Sequence, residues 1–508
     1  MIRLTPSQKQ VFTLVTQAIY ANPFARERQE IDSRLASLVP HEEGEKPVDV
    51  AIREVSAALA GITPGRTPRV DAVCEADREL LEHALLFEFF YLYRDRFDAH
   101  TLAQLKASEQ NLPLAFADEA QAYFSERGFA PKAFANYMAI CFQLRRAFLL
   151  IRDSLVGESQ AMRHLRRDLW NNVFTHDISL YARYLIGRME DFSTLLLGET
   201  GTGKGTAALA IGRSGFIPYD PDRKAFTESF TRTFVSLNIS QHPETLLESE
   251  LFGHKKGAFT GATEDHMGVL ESCSPNGAIF LDELGEVAPH IQIKLLQVLQ
   301  ERRYTPVGSH VSKRFNGRVI AATNRPFSEI KGEKERGGFR DDFFYRLCSD
   351  IITVPPLRKR LDENPAELDA LIGHTITRLV GKPSPEYARM VKEVIDRQLG
   401  PHYPWPGNVR ELEQCTRRVL IKRSYLLKDL DAPPTTLDTL VSGIQDGNME
   451  LKALIHTYCA MLFERHGTFS DVARITGLDR RTARKYIESA RGTPGFTETS
   501  VLVDQEAD

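Results

Sequence analysis

The sequence lacks the features that mark secreted, membrane or disulfide-rich proteins. Its six cysteines are scattered and include no C-x-x-C pair, which argues against a disulfide framework or a cysteine zinc site. The longest strongly apolar run, residues 84–93, is interrupted by Glu88 and is far shorter than the ~20 residues that span a bilayer. No apolar h-region of a signal peptide stands at the N-terminus. We therefore expect a cytoplasmic protein without a membrane partner.

An excess of charge of one sign is also missing. The 64 Lys and Arg against 68 Asp and Glu leave a formal net charge of −4, which excludes a uniformly basic nucleic-acid binder but allows a local basic element. Hydrophobic residues at 42% and charged residues at 26% are typical of globular proteins. At about 150 residues per domain, the 508 residues predict about three domains.

The pattern along the chain predicts a multidomain α and α/β architecture. Up to residue 153 it is mostly helical, with apolar residues at three- and four-residue spacing in segments 7–20, 75–96 and 133–152. One helix is apolar nearly all round and is expected to be buried, through Leu80, Leu81, Ala84, Leu85, Phe87, Phe89, Phe90 and Leu92. Short apolar strands, Gly-rich turns and helices then alternate to about residue 355, which predicts a parallel α/β sheet. A helical stretch to 428, a linker over 429–447, a short helical segment over 448–491 and a polar tail over 492–508 follow.

A phosphate-binding loop follows the first apolar strand of this α/β region. The strand 194–197 leads into a G-x-x-x-x-G-K pattern and then into an Ala-rich helix, which is the strand–loop–helix context of a P-loop. Glycines let backbone N–H groups turn towards phosphate oxygens, and Lys204 adds a positive charge. Gly205 stands where the general motif has Ser or Thr for Mg²⁺. The predicted ATP-binding residues are Gly198, Glu199, Thr200, Gly201, Thr202, Gly203, Lys204, Gly205 and Thr206.

A second apolar strand, 277–281, ends in Asp282 and Glu283. Hydrolysis needs one carboxylate for Mg²⁺ and one to polarise the attacking water, and we assign these roles to Asp282 and Glu283 in that order. Together with the P-loop, this strand end predicts an ATPase that uses ATP and Mg²⁺.

Between the two nucleotide motifs stands the sequence Gly-Ala-Phe-Thr-Gly-Ala, residues 257–262. This hexapeptide resembles the diagnostic loop of the bacterial enhancer-binding proteins, the AAA+ activators of sigma-54 RNA polymerase. The resemblance implies that the loop contacts the sigma factor through Gly257, Ala258, Phe259, Thr260, Gly261 and Ala262. It also implies a central AAA+ domain over 154–428, with a helical lid at about 356–428 and a regulatory domain over 1–153.

The same resemblance assigns roles to further residues. It implies that Asn238 restrains Glu283, that Thr323 and Asn324 form sensor I, and that Arg410 contacts its own subunit's ATP from sensor II. Arg340 and Arg346 match the two arginines that reach a neighbouring subunit's ATP, which requires a ring, most simply a hexamer built from dimers. Residues 239–241 read Ile-Ser-Gln where the family usually has Cys-Ala-Ala.

The C-terminal segment reads as helix, Gly-containing turn and helix, and resembles the Fis-type helix-turn-helix of the same family. From Ser470 to Arg491 it holds six Lys or Arg against three acids, a charge pattern expected for DNA contact. Val472, Ala473, Ile475 and Leu478 are expected on its inner face. The residues predicted to bind double-stranded enhancer DNA are Arg480, Arg481, Thr482, Arg484 and Lys485.

The leading hypothesis is a transcriptional activator that remodels the sigma-54 polymerase–promoter complex by hydrolysing ATP. A DNA-binding repressor that kept the AAA+ fold, or a AAA+ remodeller acting on another target, are the alternatives. Two apparent insertions, near 170–184 and 212–233, are either surface loops or contacts for the regulatory domain. The N-terminal region shows no receiver-domain pattern. An unknown ligand, a partner protein or constitutive control of the ring are the alternatives for its input, with either sign of control.

Overall fold

The computed structural model describes residues 1–40, 44–332, 338–425, 440, 444, 447 and 449–490. The predicted tail lies outside these residues, as does the predicted linker apart from three single positions. The chain divides into two compact units, Met1–Tyr425 and Leu426–Asp508. The first unit contains both the predicted regulatory domain and the predicted ATPase domain, and their boundary at 153 stays a prediction. Within the described ranges, no helix is long and apolar enough to cross a membrane.

The N-terminal part is helical, as the apolar spacing predicts. Its first helix begins after Thr5, whose side chain accepts a hydrogen bond from the Gln8 amide in a capping box. The helix expected to be buried is buried along one side, through Leu81, Ala84, Leu85, Phe87 and Phe89, whereas Leu80 and Phe90 are half-buried. Leu92 at its end is 63% exposed, because the chain turns there into the next helix. The helices are α1 Pro6–Tyr20, α2 Arg26–Ala36, α3 Pro47–Ala60, α4 Glu75–Leu92, α5 Arg94–Ala107, α6 Ala117–Glu126 and α7 Pro131–Ser154.

The centre of the first unit is a parallel five-stranded sheet with the strand order β4-β5-β8-β1-β9. The three inner strands, β5, β8 and β1, are rich in branched apolar residues and almost fully buried, as expected for a sheet covered on both faces, whereas the edge strands β4 and β9 are largely half-buried or exposed. The strands are β1 Thr194–Leu197, β2 Tyr219–Asp220, β3 Ala225–Phe226, β4 Phe234–Asn238, β5 Ala278–Asp282, β6 Arg303–Tyr304, β7 Lys313–Arg314, β8 Arg318–Thr323 and β9 Asp350–Thr353. Strands β2 and β3 pair antiparallel, as do β6 and β7.

Helices cover both faces of the sheet, and a helical lid follows it as predicted. The P-loop helix α10 begins at Lys204, and the lid consists of α16 to α19. The helices are α8 Gln160–Phe174, α9 Ile178–Leu180, α10 Lys204–Gly212, α11 Glu244–Phe252, α12 Val269–Ser272, α13 Pro289–Glu301, α14 Phe327–Gly332, α15 Asp341–Leu347, α16 Leu357–Glu363, α17 Glu367–Val380, α18 Pro385–Gln398 and α19 Asn408–Lys422.

Both apparent insertions contact the N-terminal helices. The hairpin β2–β3 of the second insertion buries Tyr219 and Phe226 in the N-terminal core, where the Phe226 ring stacks on Phe142 with centroids 4.1 Å apart. In the first insertion, the ring centroid of Trp170 lies 6.0 Å from that of Phe24, which precedes α2. Of the two readings of these insertions, contact with the N-terminal domain is the one observed.

The second unit, considered by itself, contains a small helical bundle. Its helices are α20 Leu451–His466, α21 Phe469–Thr476 and α22 Arg480–Ala490. Of the residues predicted on the inner face, Val472 is buried and Ala473 and Leu478 are partly buried, and Ala483 and Ile487 of the last helix are buried with them. Ile475 was expected in that core and is 39% exposed instead, because it lies on the outer side of the short helix α21.

Candidate functional site

The P-loop wraps back on itself at the carboxyl end of β1. Gly201 and Gly203 have φ values of +79° and +102°, which side-chain-bearing residues rarely adopt. Lys204 is buried, and its Nζ donates hydrogen bonds to the carbonyl oxygens of Gly198 and Glu199 at 2.7 and 3.0 Å. Its ammonium group therefore lies inside the curve of the loop. Thr202 is also buried, whereas Thr200, Gly205 and Thr206 are exposed.

The predicted acidic pair lies at the same edge of the sheet. Strand β5 ends at Asp282, and the neighbouring strand β8 ends at Thr323. Thr323 is in register with Leu197, the last residue of β1, so the three strands end at the same edge as the P-loop. Burial raises the pKa of Asp282, and the Lys204 charge opposes this increase. Burial likewise lowers the pKa of Lys204, which the carboxylates of Asp282 and Glu283 counteract. Lys204 follows β1 and Asp282 ends β5, and both strands end at this edge, so the lysine and the two carboxylates share one site.

Glu283 has a strained backbone, with φ +58° and ψ +37°, a conformation uncommon outside glycine and asparagine. Its carboxylate accepts a hydrogen bond of 2.6 Å from the hydroxyl of Ser240. Asn238, the residue expected to restrain Glu283, has a buried Oδ1 without a hydrogen-bond partner. In this structure the hydrogen bond to Glu283 comes from Ser240, which the sequence marked only as part of the Ile-Ser-Gln departure. The role of Asn238 in restraining Glu283 stays a prediction.

The lid is joined to the P-loop by a polar network. The side chain of Glu199 forms a bidentate ion pair with Arg358 of α16, with oxygen–nitrogen distances of 2.8 and 2.5 Å. Asn408, fully buried at the start of α19, donates to the Glu199 carboxylate and to the Thr200 carbonyl, both at 3.1 Å. The amide of Arg410 bonds to the Gly201 carbonyl at 3.3 Å. Sequence reasoning missed Arg358 and Asn408, because their partners lie more than 150 residues away.

The residues assigned to sensor I lie between the two nucleotide motifs. Thr323 is buried at the end of β8, and its hydroxyl accepts a hydrogen bond from the Arg325 amide at 3.2 Å. Asn324 is exposed and donates to the Thr200 hydroxyl at 3.3 Å. The predicted sensor therefore touches the P-loop directly.

The two arginines assigned to a neighbouring subunit's ATP lie on α15 and just before it. Arg340 is exposed and pairs with Asp342 at 2.8 Å. Arg346 is partly exposed and donates through Nε to the Leu299 carbonyl at 2.9 Å. Neither forms a hydrogen bond or ion pair with the described P-loop residues, and their action on another subunit stays a prediction.

The loop Gly257–Ala262 is a surface turn closed by its own backbone. The Gly257 amide bonds to the Ala262 carbonyl at 2.8 Å, and Ala262 is buried beneath the turn. Phe259 at the tip is 36% exposed and packs against the His254 ring with centroids 4.9 Å apart. Thr260 is exposed. The turn thus presents an aromatic and a hydroxyl side chain to solvent.

In the second unit, the predicted DNA-binding residues lie on the last helix. Arg480, Arg481, Arg484 and Lys485 are exposed, and Thr482 is partly buried. Asp479 caps the helix by accepting a hydrogen bond from the Thr482 amide at 2.9 Å. Arg484 also pairs with Glu488 at 2.7 Å. The helix therefore has one basic, solvent-facing side opposite the buried Ala483 and Ile487.

The geometry fits a nucleoside triphosphate with Mg²⁺. The left-handed glycines and the inward-facing Lys204 form a cradle for phosphate oxygens. Mg²⁺ in such sites is bound by one or two carboxylates together with phosphates and water, and Asp282 is a suitable ligand. Within the described part of the chain, no group of three His, Cys, Asp or Glu side chains could hold a metal by itself.

Comparison with known proteins identifies the central region. Residues 178–353 match the family model of the sigma-54 interaction domain. The chain is 45% identical over 229 residues to the Nif-specific regulatory protein of Azotobacter vinelandii, an alignment that covers 45% of this chain and 40% of that protein. It is 37% identical over 294 residues to the nitrogen fixation protein AnfA of the same organism, covering 57% of this chain and 51% of AnfA. The chain thus spans about half the length of these curated relatives.

A longer match is found with the transcriptional regulatory protein ZraR of Klebsiella oxytoca. The two are 33% identical over 334 residues, which cover 65% of this chain and 67% of ZraR. Among solved structures, NtrX from Brucella abortus in complex with ATP aligns with a TM-score of 0.40 at 20% identity, over 74% of this chain and 80% of that chain. The interaction domain and the extent of the ZraR match lead to one conclusion: the chain belongs to the family of sigma-54-dependent transcriptional activators.

Proposed function

We propose that the chain activates transcription by hydrolysing ATP to remodel the closed complex of sigma-54 RNA polymerase with its promoter. The observation that carries the proposal is the position of Lys204, Asp282 and Glu283 at the carboxyl edge of the sheet, in a domain that presents the turn Gly257–Ala262 to solvent. A motor site and a contact surface in one domain are what an ATP-driven remodeller requires.

The chemistry follows from the positions of these groups. Backbone N–H groups of the P-loop and the Lys204 ammonium bind phosphate oxygens of ATP. Glu283 orients the attacking water and accepts its proton while the water oxygen bonds to the γ-phosphorus and the bond to the ADP oxygen breaks. Mg²⁺, when held at Asp282, supplies positive charge to the phosphates. The products are ADP and inorganic phosphate.

A ring completes the site in this proposal. Arg340 and Arg346 lie at the surface of their own subunit, where a neighbour's ATP could receive them. A planar guanidinium stabilises the charge that spreads over the transferring phosphoryl group. The exposed basic side of α22 supports binding of double-stranded enhancer DNA, which would concentrate subunits for assembly into a hexamer.

Ser240 is proposed to hold Glu283 in a resting orientation until the polymerase contact is made. A hydrogen bond to a charged group contributes about 1.5–3 kcal/mol, and solvent exposure of Ser240 places its contribution at the low end. We expect Ser240→Ala to raise the basal ATP turnover of the full chain several-fold and to weaken its stimulation by polymerase. Ser236→Ala, an exposed serine on β4, is the matched control. A basal rate in Ser240→Ala that equals or falls below the wild-type rate would contradict this role.

The decisive experiment is promoter opening in vitro with sigma-54 polymerase, ATP and a supercoiled template. The wild-type chain should open the promoter only with hydrolysable ATP. Glu283→Gln should abolish both ATP turnover and opening, whereas Thr260→Ala should keep turnover and lose opening. Thr263→Ala, an exposed threonine just outside the turn, serves as the control and should behave as wild type. Normal turnover with no promoter opening by the wild-type chain would refute the activator function and favour the repressor or another remodeller.

A further inference from the structure

A cavity with a mixed polar and apolar lining lies at the edge of the sheet opposite the nucleotide site. Its volume is about 80 Å³, and it is enclosed by α7, both insertions and the first residues of β5 and β8. This exceeds the roughly 10–15 Å³ that one water needs and is well below the roughly 300–1,000 Å³ of a drug-sized pocket. The cavity therefore fits a small molecule of a few heavy atoms. Its lining includes Gln143, Tyr181, Ile211, Gly215, Ala278 and Arg318.

Arg318 supplies the cavity with a buried positive charge. The residue is only 9% exposed, and its Nε donates to the Phe192 carbonyl at 2.8 Å. Its Nη2 donates to Asn172 and Thr194 at 2.8 and 3.0 Å. Its Nη1 has no hydrogen-bond partner among the described residues. A buried guanidinium with an unused donor in a cavity is a binding group for an acceptor, most strongly for a carboxylate.

A second cation reinforces this environment. Arg146 on α7 is fully buried, and its Nε and Nη1 have no hydrogen-bond partner. Its Nη2 donates to the carbonyl of Gly215, which lines the cavity. Two acidic residues lie near these cations. Asp350 is linked to Arg318 by hydrogen bonds through Asn172, and the Glu190 side chain is partly exposed at the rim. They therefore balance the two positive charges only in part. The interior potential at the cavity therefore favours an anion.

Part of the remaining polar lining is already hydrogen-bonded. The Tyr181 hydroxyl and the Gln143 amide hydrogen-bond to each other at 2.7 Å, and the same amide donates to the Ser214 carbonyl at 3.0 Å. Ile211 and Ala278 add apolar surface. The lining thus combines one buried anchoring cation with apolar contacts and with the side chain of Asn316. A short aliphatic carboxylate, which has one charged end and one apolar end, suits this combination.

Three elements run from the cavity to the nucleotide site. Helix α10 has Gly212 at the cavity and Lys204 in the P-loop, a span of about 12 Å at 1.5 Å per residue. Strand β5 leads from Ala278 to Asp282, and β8 leads from Arg318 to Thr323. A ligand in the cavity that favours one arrangement of these elements therefore changes the affinity for nucleotide. By linkage, nucleotide changes the affinity for that ligand by the same factor.

We propose that this cavity is an effector site for a small carboxylate-bearing metabolite, which is anchored by Arg318 and coupled to the ATP site through α10, β5 and β8. The coupling to ATP hydrolysis rests on the proposed function, whereas the binding itself does not. The two insertions that enclose the cavity also dock the N-terminal helices, so the ligand would act where these helices join the motor.

The test uses propionate as the probe and the full chain. Saturation-transfer NMR should detect propionate binding, with no signal from propionamide, which has the same shape without the charge. Arg318→Met should weaken propionate binding at least ten-fold. Because Arg318 also supports the fold, Ile211→Phe provides a second variant that fills the cavity and leaves the guanidinium in place; it should abolish binding. Near-UV circular dichroism checks that both variants are folded.

Several results would overturn the proposal. They are equal binding of propionamide, propionate binding by Ile211→Phe that equals wild type, preferential binding of phosphate, or no binding of propionate by the wild-type chain. Coupling is then measured as a change in ADP affinity on adding propionate to the wild-type chain, with none expected in Ile211→Phe. Because neither measurement needs polymerase or promoter DNA, failure of the effector site is distinguishable from failure of the activator function.

Discussion

The ion pair between Arg360 and Glu367 allows a quantitative prediction about the lid. Their side chains are 4% and 1% exposed, and Arg360 Nε lies 2.7 Å from Glu367 Oε2. Glu367 also accepts a hydrogen bond from the Ser159 amide, and Arg360 donates to the Val156 carbonyl at 2.6 Å. The pair thus ties the segment before α8 to the lid. Glu367→Ala leaves a buried cation and a buried amide without partners, and the first loss alone costs about 3–5 kcal/mol.

Urea unfolding followed by tryptophan fluorescence measures this cost. Of the two tryptophans, Trp405 is buried in the lid, so a Trp170→Phe background makes it the sole reporter. Asp369→Ala breaks an exposed lid ion pair, with Lys392 at 2.7 Å, and is the matched control; it should cost less than about 1 kcal/mol. If Glu367→Ala loses no more stability than Asp369→Ala, the reasoning is wrong.

Replacing both partners separates charge burial from packing. Because Arg360→Met with Glu367→Leu leaves no uncompensated charge, the double variant should recover most of the stability lost in Glu367→Ala. A double variant as unstable as Glu367→Ala would mean that the backbone hydrogen bonds to Val156 and Ser159, rather than the ion pair, dominate.

Two further predictions concern the N-terminal core and the P-loop. Burial, aided by the Arg146 charge, lowers the pKa of His100 from 6.5 to about 4. Between these two values the unfolded chain binds a proton that the folded chain does not, so acid favours unfolding. The free energy of unfolding should therefore fall by about 1–2 kcal/mol between pH 7 and pH 5. His100→Phe should remove that dependence in unfolding experiments, and an unchanged slope would contradict it. At Gly201 an added Cβ would lie 2.3 Å from the Gly407 carbonyl oxygen, so Gly201→Ala should weaken ATP binding at least ten-fold in a titration. Gly205→Ala, whose Cβ meets its nearest neighbour at 3.9 Å, should bind ATP as wild type, and equal affinities for the two variants would refute the argument.

Much of the fold could be predicted because its signals are local. The strand before the P-loop, the acidic strand end at Asp282 and the helical lid each depend on residues close together in sequence, and each was found where predicted. Solvent exposure at element ends was harder to predict, because apolar spacing alone does not show that Leu92 and Ile475 face outward.

The site was predictable in its parts but not in its connections. Family resemblance pointed to Asn238 as the partner of Glu283, whereas the hydrogen bond comes from Ser240, 43 residues away from Glu283 along the chain. The contact between Glu199 and Arg358 joins residues 159 positions apart. No periodicity or motif spacing encodes such pairings, which arise only when the strands align their carboxyl ends.

Helix α7 has a consequence for how such a regulator could evolve or be engineered. Met138 and Phe142 near its middle belong to the N-terminal core, while Ala147 and Ile151 near its end are buried in the core beneath the sheet. A cut at the end of this helix would remove part of the core beneath the sheet together with the N-terminal region. The N-terminal region is therefore not an interchangeable cassette, and a chimera would have to exchange it together with α7 and the hairpin β2–β3 that packs on it.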